Sequence, residues 1–180
     1  MRRRACSVPL ALALLAACSG GAARASPYRN ATDAVALAPP GRDGVPVFRG
    51  CVLAAARVNG VPPAVLLMLL QVEDGHLGEV SSNPNGTVDI GPFQVNEIWL
   101  PAVAGHWGLS IAEAFPILRD NFCGNADAAA WILQRALAGA HGDFWDGVGR
   151  YHSTRSDLKT TYLRRVLAAA RRMLTGGRHG

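Results

Sequence analysis

The sequence predicts a mainly helical fold with one small β-hairpin. Two observations indicate it. Apolar residues recur at helical spacing in several segments, and one polar stretch, residues 78–90, holds the turn-forming and β-forming residues of a hairpin. The 180 residues provide one domain with a substantial core. We expect the folded unit to span residues 48–175.

The predicted helices follow one another with short connections. The first spans residues 51–58 and is stopped by Asn59-Gly60. The second spans residues 62–70, opens on two prolines, and continues to Glu73, because Gly75 indicates a helix end just beyond that residue. Further helices are predicted at residues 91–100, closed by Pro101, at a capping box of Ser110 and Glu113, and at residues 121–137 and 158–174.

The segments between these helices carry turn signals. Asn85-Gly86 is a strong tight-turn signal, and Thr87-Val88 is expected to form one arm of the hairpin. Residues 142–149 predict a glycine-rich break. In the last helix one face is expected to be buried, and it consists of Leu163, Val166, Leu167, Ala170 and Leu174.

The N-terminus has the three-part form of a secretory signal: three arginines, an apolar run over residues 8–17, and small residues. The run is too short to span a bilayer as a helix. Cleavage after Ala25 would remove residues 1–25. Alternatively, residues 15–18 resemble a lipobox, so that residues 1–17 would be removed and Cys18 lipidated. Residues 26–47 predict a linker or flexible arm, and residues 176–180 a tail.

The formal charge of +5 is mostly a property of this signal. Residues 1–25 hold four arginines and no acid, so the charge of residues 26–180 falls to +1. A chain so nearly neutral gives no support to nucleic-acid binding. Residues 147–180 hold eight basic residues against Asp157, and we expect this basic helix to face the acidic middle of the chain or an anionic surface.

Two of the four cysteines, Cys51 and Cys123, lie on predicted helices of the folded unit. In an oxidising compartment such a pair is expected to form a disulfide, which would close a loop of about seventy residues and stabilise the fold by at most about 4 kcal/mol. Two buried free thiols are the alternative.

Glu73 is the candidate catalytic residue. It follows Leu66, Leu69 and Leu70 by seven, four and three residues, which places its carboxylate on the same helical face as these leucines. Burial among leucines and the negative end of the helix dipole both raise the pKa of a carboxyl group, which suits a general acid. A glutamate that turns out to solvent is the alternative.

Four short motifs occur in an order that resembles the lytic transglycosylases of the lysozyme-like superfamily, most closely the specialised members that accompany conjugation and type III or type IV secretion. The resemblance covers residues 48–173. Each motif is weak alone, and their order behind a signal peptide is what carries the resemblance. The motifs are Glu73, Ser82, Gly91-Pro92-Phe93-Gln94 and Tyr151-His152-Ser153.

The resemblance implies an α+β lysozyme-like fold and cleavage, without water, of the β-1,4 bond between N-acetylmuramic acid and N-acetylglucosamine in peptidoglycan. Protonated Glu73 would donate its proton to the leaving oxygen. It would then take the proton of the sugar's own 6-hydroxyl, which closes a 1,6-anhydro ring. No cofactor is implied. The implied location is the periplasm, or the outer membrane if Cys18 is lipidated. The implied partners are glycan strands and components of a secretion or conjugation apparatus.

The resemblance also implies substrate-binding residues. Ser82 and Gln94 are carried over by motif, and Asn96 is added on spacing alone, two residues beyond Gln94. Tyr151 corresponds to the family's tyrosine near the acid, where its hydroxyl would orient Glu73; packing alone is the alternative. His152 and Ser153 are expected to be structural.

Two departures from the family pattern concern substrate fit. Asp74 stands where the family usually has serine, and this second acid would raise the pKa of Glu73 or leave it exposed. Pro92-Phe93 replaces the usual Leu-Met and fixes one backbone angle.

Two other functions remain open. If Asp89 faced the cleft it would serve as the base for water, giving a muramidase-type hydrolase, although an aspartate near a glycine turn is expected to bond local backbone. A non-catalytic peptidoglycan-binding module is the other. No paired histidine spacing predicts a metal site. Four tryptophans are candidates for stacking on sugars or for the core: Trp99, Trp107, Trp131 and Trp145.

Overall fold

The computed structural model of the protein describes residues 45–176. The predicted signal, Cys18, the tail beyond residue 176 and most of the predicted linker lie outside the described residues. The folded unit begins slightly earlier than expected, because residues 45–47 already belong to the first helix. Within residues 45–176, no helix is both long enough and apolar enough to cross a bilayer.

The predicted mainly helical fold with a small β element is confirmed. A short 3₁₀ helix spans Glu97–Trp99. The α-helices are α1 (Val45–Asn59), α2 (Pro63–Glu73), α3 (Leu100–Trp107), α4 (Ile111–Asp120), α5 (Phe122–Ala138), α6 (Phe144–Arg150) and α7 (Ser156–Gly176).

The β element is a three-stranded antiparallel sheet, one strand larger than the predicted hairpin. Its strands are β1 (Val80–Ser82), β2 (Val88–Ile90) and β3 (Val95–Asn96), in that spatial order. The turn between β1 and β2 closes where Gly86 donates its backbone N–H to the carbonyl of Asn83, at 3.0 Å. Gly86 has a φ of +84°, which glycine adopts without steric cost and which explains the Asn-Gly signal.

Helix α5 forms the centre of the core. Every residue from 124 to 130 is buried, and α1, α4 and α6 all pack against this helix. Small alanine side chains let neighbouring helices approach closely. The predicted disulfide is present, since Cys51 on α1 is bonded to Cys123 on α5 with their Cα atoms 4.9 Å apart.

The helix predicted over residues 91–100 is wrong. Gly91 and Gln94 have φ values of +68° and +46°, which no right-handed helix accommodates, and residues 95–96 pair with β2 instead. Pro101 lies in the first turn of α3 and opens that helix rather than closing one, because the first-turn N–H groups need no intrahelical acceptor.

The glycine-rich break predicted over residues 142–149 is also wrong for most of its length, since α6 occupies it. Asp143 caps α6 by accepting the backbone N–H of Asp146 at 2.9 Å. Gly147 is helical because it packs closely: a Cβ there would lie 2.8 Å from the Cα of Leu137. The glycines of this segment therefore bring two helices together.

The buried face of α7 differs from the predicted one. Val166 is buried as expected, but the other fully buried members are Tyr162 and Ala169. Leu167 and Leu174 are 44% and 73% exposed. The apolar pattern of this helix is wide enough for two neighbouring faces, and packing against α2 and α6 selects the one that includes Tyr162.

Candidate active site

Glu73 is the last residue of α2 and lies in a cleft with a volume of about 660 Å³. The helix ends there because Asp74 adopts the left-handed conformation, with a φ of +53°, and its N–H bonds the carbonyl of Leu70. Leu69 and Leu66, one and two turns earlier, are fully buried. The apolar helix α2 thus ends with a half-buried carboxyl group in the cleft, as the sequence predicted.

Burial raises the pKa of Glu73 from 4.5 to about 7. Two groups oppose this effect: the hydrogen bond from Tyr162 and the positive charge of Arg165 both lower the pKa. The negative charge of Asp89 raises it further. The neighbouring Asp74 is exposed and is not among these causes, so the second acid that acts on Glu73 is Asp89.

Tyr162 provides the hydroxyl that holds Glu73. Its O–H donates to Oε1 of Glu73 at 2.5 Å, whereas the hydroxyl of Tyr151 donates to the carbonyl of Phe93 at 3.2 Å. The phenol expected beside the acid was Tyr151, which does line the cleft but bonds the backbone instead. Tyr162 is therefore a site residue that the motif comparison missed. The helical spacing of Tyr162 and Val166 was the signal that would have placed the tyrosine on the buried face of α7.

Arg165, one turn beyond Tyr162, is the second residue that sequence reasoning missed. Its guanidinium donates to the carbonyl of Val72 at 2.5 Å, directly before Glu73. Lysine or arginine near a helix C-terminus satisfies the last carbonyls and offsets the helix dipole. Helix α7 thus contributes both the hydrogen bond and the charge that limit the rise in the pKa of Glu73.

The segment after β2 packs directly against the turn after Glu73. The N–H of Gly75 donates to the carbonyl of Pro92 at 3.3 Å, and a Cβ on Gly75 would lie 2.3 Å from the carbonyl oxygen of Gly91. Gln94 lies in the cleft, and its Nε2 donates to that same Gly91 carbonyl at 2.9 Å. Only glycine fits at position 75, and this close contact places Gln94 against the turn that follows Glu73.

Asn125, on α5, holds this segment through hydrogen bonds and was not among the predicted site residues. Its Oδ1 accepts the N–H of Phe93 at 2.8 Å, and its Nδ2 donates to the carbonyls of Ile90 and Leu118 at 2.9 and 2.8 Å. All three bonds are buried, so each would leave an unpaired backbone group if lost. Gly91 touches the same amide, since a Cβ there would lie 2.7 Å from Nδ2 of Asn125.

Asp89 and Asn96 face each other across β2 and β3 and both line the cleft. Nδ2 of Asn96 donates to Oδ1 of Asp89 at 2.7 Å and to Oγ1 of Thr87 at 2.9 Å, and its Oδ1 accepts the N–H of Ile98 at 3.1 Å. Asp89 was expected to bond local backbone at a turn, yet it lies within a strand and is held by a side chain. Hydrogen bonds within the protein occupy both ends of the Asn96 amide.

The other predicted residues divide between cleft and surface. Ser82 is exposed on β1 and is not among the residues that line the cleft, whereas the following turn, residues 83–85, does line it. His152 and Ser153 line the cleft as well. The ring of His152 stacks on Tyr162, with centroids 4.8 Å apart and planes 8° from parallel. Burial lowers the pKa of His152, and the charge of Arg165 lowers it further.

Trp99 is the one tryptophan among the described cleft-lining residues. Trp107 is fully buried, and Trp131 is half-buried with the guanidinium of Arg135 over its ring at 4.8 Å. Trp145 is 44% exposed but lies outside the cleft lining. Within the part of the chain that the structure describes, no three metal-ligating side chains come together.

In comparisons with known proteins, the chain matches no family model and no curated protein.

Proposed function

We propose that the protein is a peptidoglycan lytic transglycosylase, in which Glu73 acts first as general acid and then as general base. The observation that carries the proposal is a carboxyl group with a pKa of about 7 at the end of an apolar helix in a large cleft. A group with that pKa is present in both protonation states near neutral pH, and a residue that must both give and take a proton needs this property.

The hydrogen bonds of Glu73 support the acid step. Tyr162 bonds Oε1, and among the described residues no partner bonds Oε2. The proton of a protonated Glu73 therefore resides on Oε2, where it is available to the oxygen of a glycosidic bond in the cleft. Proton transfer to that oxygen accompanies cleavage of its bond to the anomeric carbon. The substrate's own N-acetyl group stabilises the positive charge that develops on this carbon.

In the base step the same oxygen, Oε2 of Glu73, accepts a proton instead of donating one. Once ionised, Glu73 accepts the proton of the 6-hydroxyl of the same sugar as that oxygen bonds the anomeric carbon. The products are a 1,6-anhydro ring and a regenerated protonated Glu73, so no water is consumed. The hydrogen bond from Tyr162 and the charge of Arg165 stabilise the ionised intermediate state, because both favour the carboxylate.

Polar groups in the cleft suit acetamido and hydroxyl substituents. Nε2 of Gln94 is held by Gly91, which leaves its Oε1 to accept an N–H from the substrate. Trp99 presents an aromatic surface on which a sugar ring can stack. Asn96 contributes indirectly, since its amide already holds Asp89 and Thr87.

A hydrolase is the second candidate, favoured by one observation: Asp89 lines the cleft and acts electrostatically on Glu73. An ionised Asp89 would activate water or attack the anomeric carbon itself, as the second carboxylate of a glycosidase does. The two candidates leave different ends on the glycan. Transglycosylation leaves anhydro ends, whereas hydrolysis leaves reducing ends.

The test is digestion of purified peptidoglycan followed by mass spectrometry of the released muropeptides. We expect anhydro products from the wild type and a loss of at least about a hundredfold in Glu73→Gln, because the proton donor and acceptor is removed. Glu79→Gln is the matched control, since Glu79 bonds Ser81 outside the cleft lining. Full activity in Glu73→Gln would refute the proposal. Reducing ends would favour the hydrolase, and binding without cleavage a non-catalytic module.

The proposed setting is supported by the sequence resemblance and by the predicted export signal. We propose that the protein acts on the wall locally, in the periplasm or from a lipid anchor at Cys18, beside a secretion or conjugation apparatus.

A further inference from the structure

The charge of the cleft lining is uneven. Glu73 and Asp89 supply two carboxyl groups, and Arg155 is the single lysine or arginine among the described residues that line the cleft. Glycan rings themselves are uncharged, so nothing in the backbone of a sugar chain requires a guanidinium. A cation at this position instead suits an anionic substituent on the chain.

The ion pair that holds Arg155 is exposed and can be replaced by a ligand. Its guanidinium donates to both carboxylate oxygens of Asp157, at 3.3 and 2.8 Å, and its backbone N–H donates to Oγ of Ser153 at 3.1 Å. The side chains of Arg155 and Asp157 are 71% and 61% exposed. An ion pair this exposed contributes little, so a ligand carboxylate displaces Asp157 at small cost.

The neighbours of Arg155 offer complementary groups. Ser153 lines the cleft beside it, and its hydroxyl hydrogen is available to an acceptor. Leu158 also lines the cleft and is 39% exposed, which places a small apolar surface next to the cation. A ligand group that carries both a carboxylate and methyl groups would use all three side chains.

We propose that Arg155, Ser153 and Leu158 form a subsite for the acidic substituent on the 3-position of muramic acid. This inference depends on the proposed function, and it adds which residues of the cleft recognise the acid-bearing substituent that neutral poly-N-acetylglucosamine lacks. The guanidinium binds the carboxylate bidentately in place of Asp157, and Leu158 contacts the lactyl or alanyl methyl group. The carboxylate has two sources, the lactyl group of a strand without peptides or the peptide stem itself.

Binding rather than cleavage gives the cleanest test, because it separates the subsite from the chemistry. In the Glu73→Gln background, affinity is measured for three soluble oligosaccharides: chitooligosaccharide, a muramyl glycan with free lactyl carboxylates, and the same glycan with peptide stems. We expect Arg155→Gln to weaken binding of acid-bearing glycan about tenfold and to leave chitooligosaccharide unchanged. Asp157→Asn, which removes the competing carboxylate, should strengthen binding of the acid-bearing ligands.

Arg164→Gln is the matched control, since Arg164 is exposed on α7, the helix that begins directly after Arg155, but lies outside the cleft lining. If Arg155→Gln weakens binding only of the glycan with free lactyl carboxylates, the subsite binds the lactyl group. If it weakens binding only of the glycan with peptide stems, the subsite binds the stem. Weaker binding of both shows that the subsite accepts either carboxylate. Equal weakening of all three ligands by Arg155→Gln, or no effect on any, would overturn the subsite. If none of the three binds and the wild type cleaves nothing, the proposed function fails as well, which is a different result.

Discussion

Glu73 should make the protein less stable as the pH rises, and Glu73→Gln should remove this effect. The pKa of Glu73 is 4.5 in its ordinary state and about 7 in the fold. A carboxyl whose folded pKa is raised favours the native state below the unfolded pKa, and this contribution is lost as the pH rises through the folded pKa. At 1.36 kcal/mol for each pH unit, the rise corresponds to roughly 3 kcal/mol.

The measurement is urea unfolding at about pH 4.5 and about pH 8.5, followed by tryptophan fluorescence. Glutamine preserves the size of the side chain and an acceptor for the Tyr162 hydroxyl, but it never ionises. We therefore expect the free energy of unfolding of Glu73→Gln, relative to the wild type, to increase by about 3 kcal/mol between the two pH values. Comparing each variant with the wild type at the same pH cancels the titration of the other groups.

Glu113→Gln gives a control of opposite sign. The hydroxyl and backbone N–H of Ser110 hold the pKa of Glu113 below its ordinary value, so its carboxylate stabilises the fold at high pH. Its replacement should reduce stability at the higher pH rather than increase it. A pH-independent difference between wild type and Glu73→Gln, or one that shrinks as the pH rises, would refute the raised pKa and the general-acid role built on it.

Two further predictions follow from the contacts of the site. Tyr162→Phe removes a hydrogen bond that favours the carboxylate, so the pKa of Glu73 should rise further. The alkaline limb of the pH–activity profile should then move up by about one pH unit. Tyr151→Phe is the matched control, and a downward shift in Tyr162→Phe would contradict the role given to Tyr162. Gly91→Ala should destabilise the fold by more than about 2 kcal/mol in chemical unfolding, because its Cβ would lie 2.4 Å from a backbone carbonyl. Gly86→Ala, with a similar positive φ but nothing within 4 Å of its Cβ, should cost only about 1 kcal/mol, and equal costs would show that crowding at Gly91 is unimportant.

The site depends on contacts between elements that are far apart in the chain. Tyr162 and Arg165 reach Glu73 and Val72 from α7, 89 and 93 residues away. Asn125 holds the backbone of Phe93 from α5. A substitution on α5 or α7 should therefore change the surroundings of Glu73 even where the replaced residue does not contact substrate.

The sequence by itself determined the features that local chemistry decides. The Asn-Gly pair required a tight turn, and the capping box of Ser110 and Glu113 is present with both of its bonds. Gly75 predicted the helix end just beyond Glu73, and the leucines before Glu73 predicted its raised pKa. In each case the relevant neighbours lie within a few residues, so spacing alone carries the information.

Only the tertiary structure decided which of several equivalent local choices was taken. The apolar stripe of α7 was compatible with burying Leu167 or Tyr162, and packing against α2 and α6 selected Tyr162. Tyr151 and Tyr162 both approach the acid, yet only the position of the folded backbone sends one hydroxyl to Phe93 and the other to Glu73. Ser82 matched a motif by order, but strand pairing left it on an exposed strand outside the cleft lining. Hydrogen-bond partners across 50 or more residues depend on how the helices pack, which the spacing of residues along the chain does not determine.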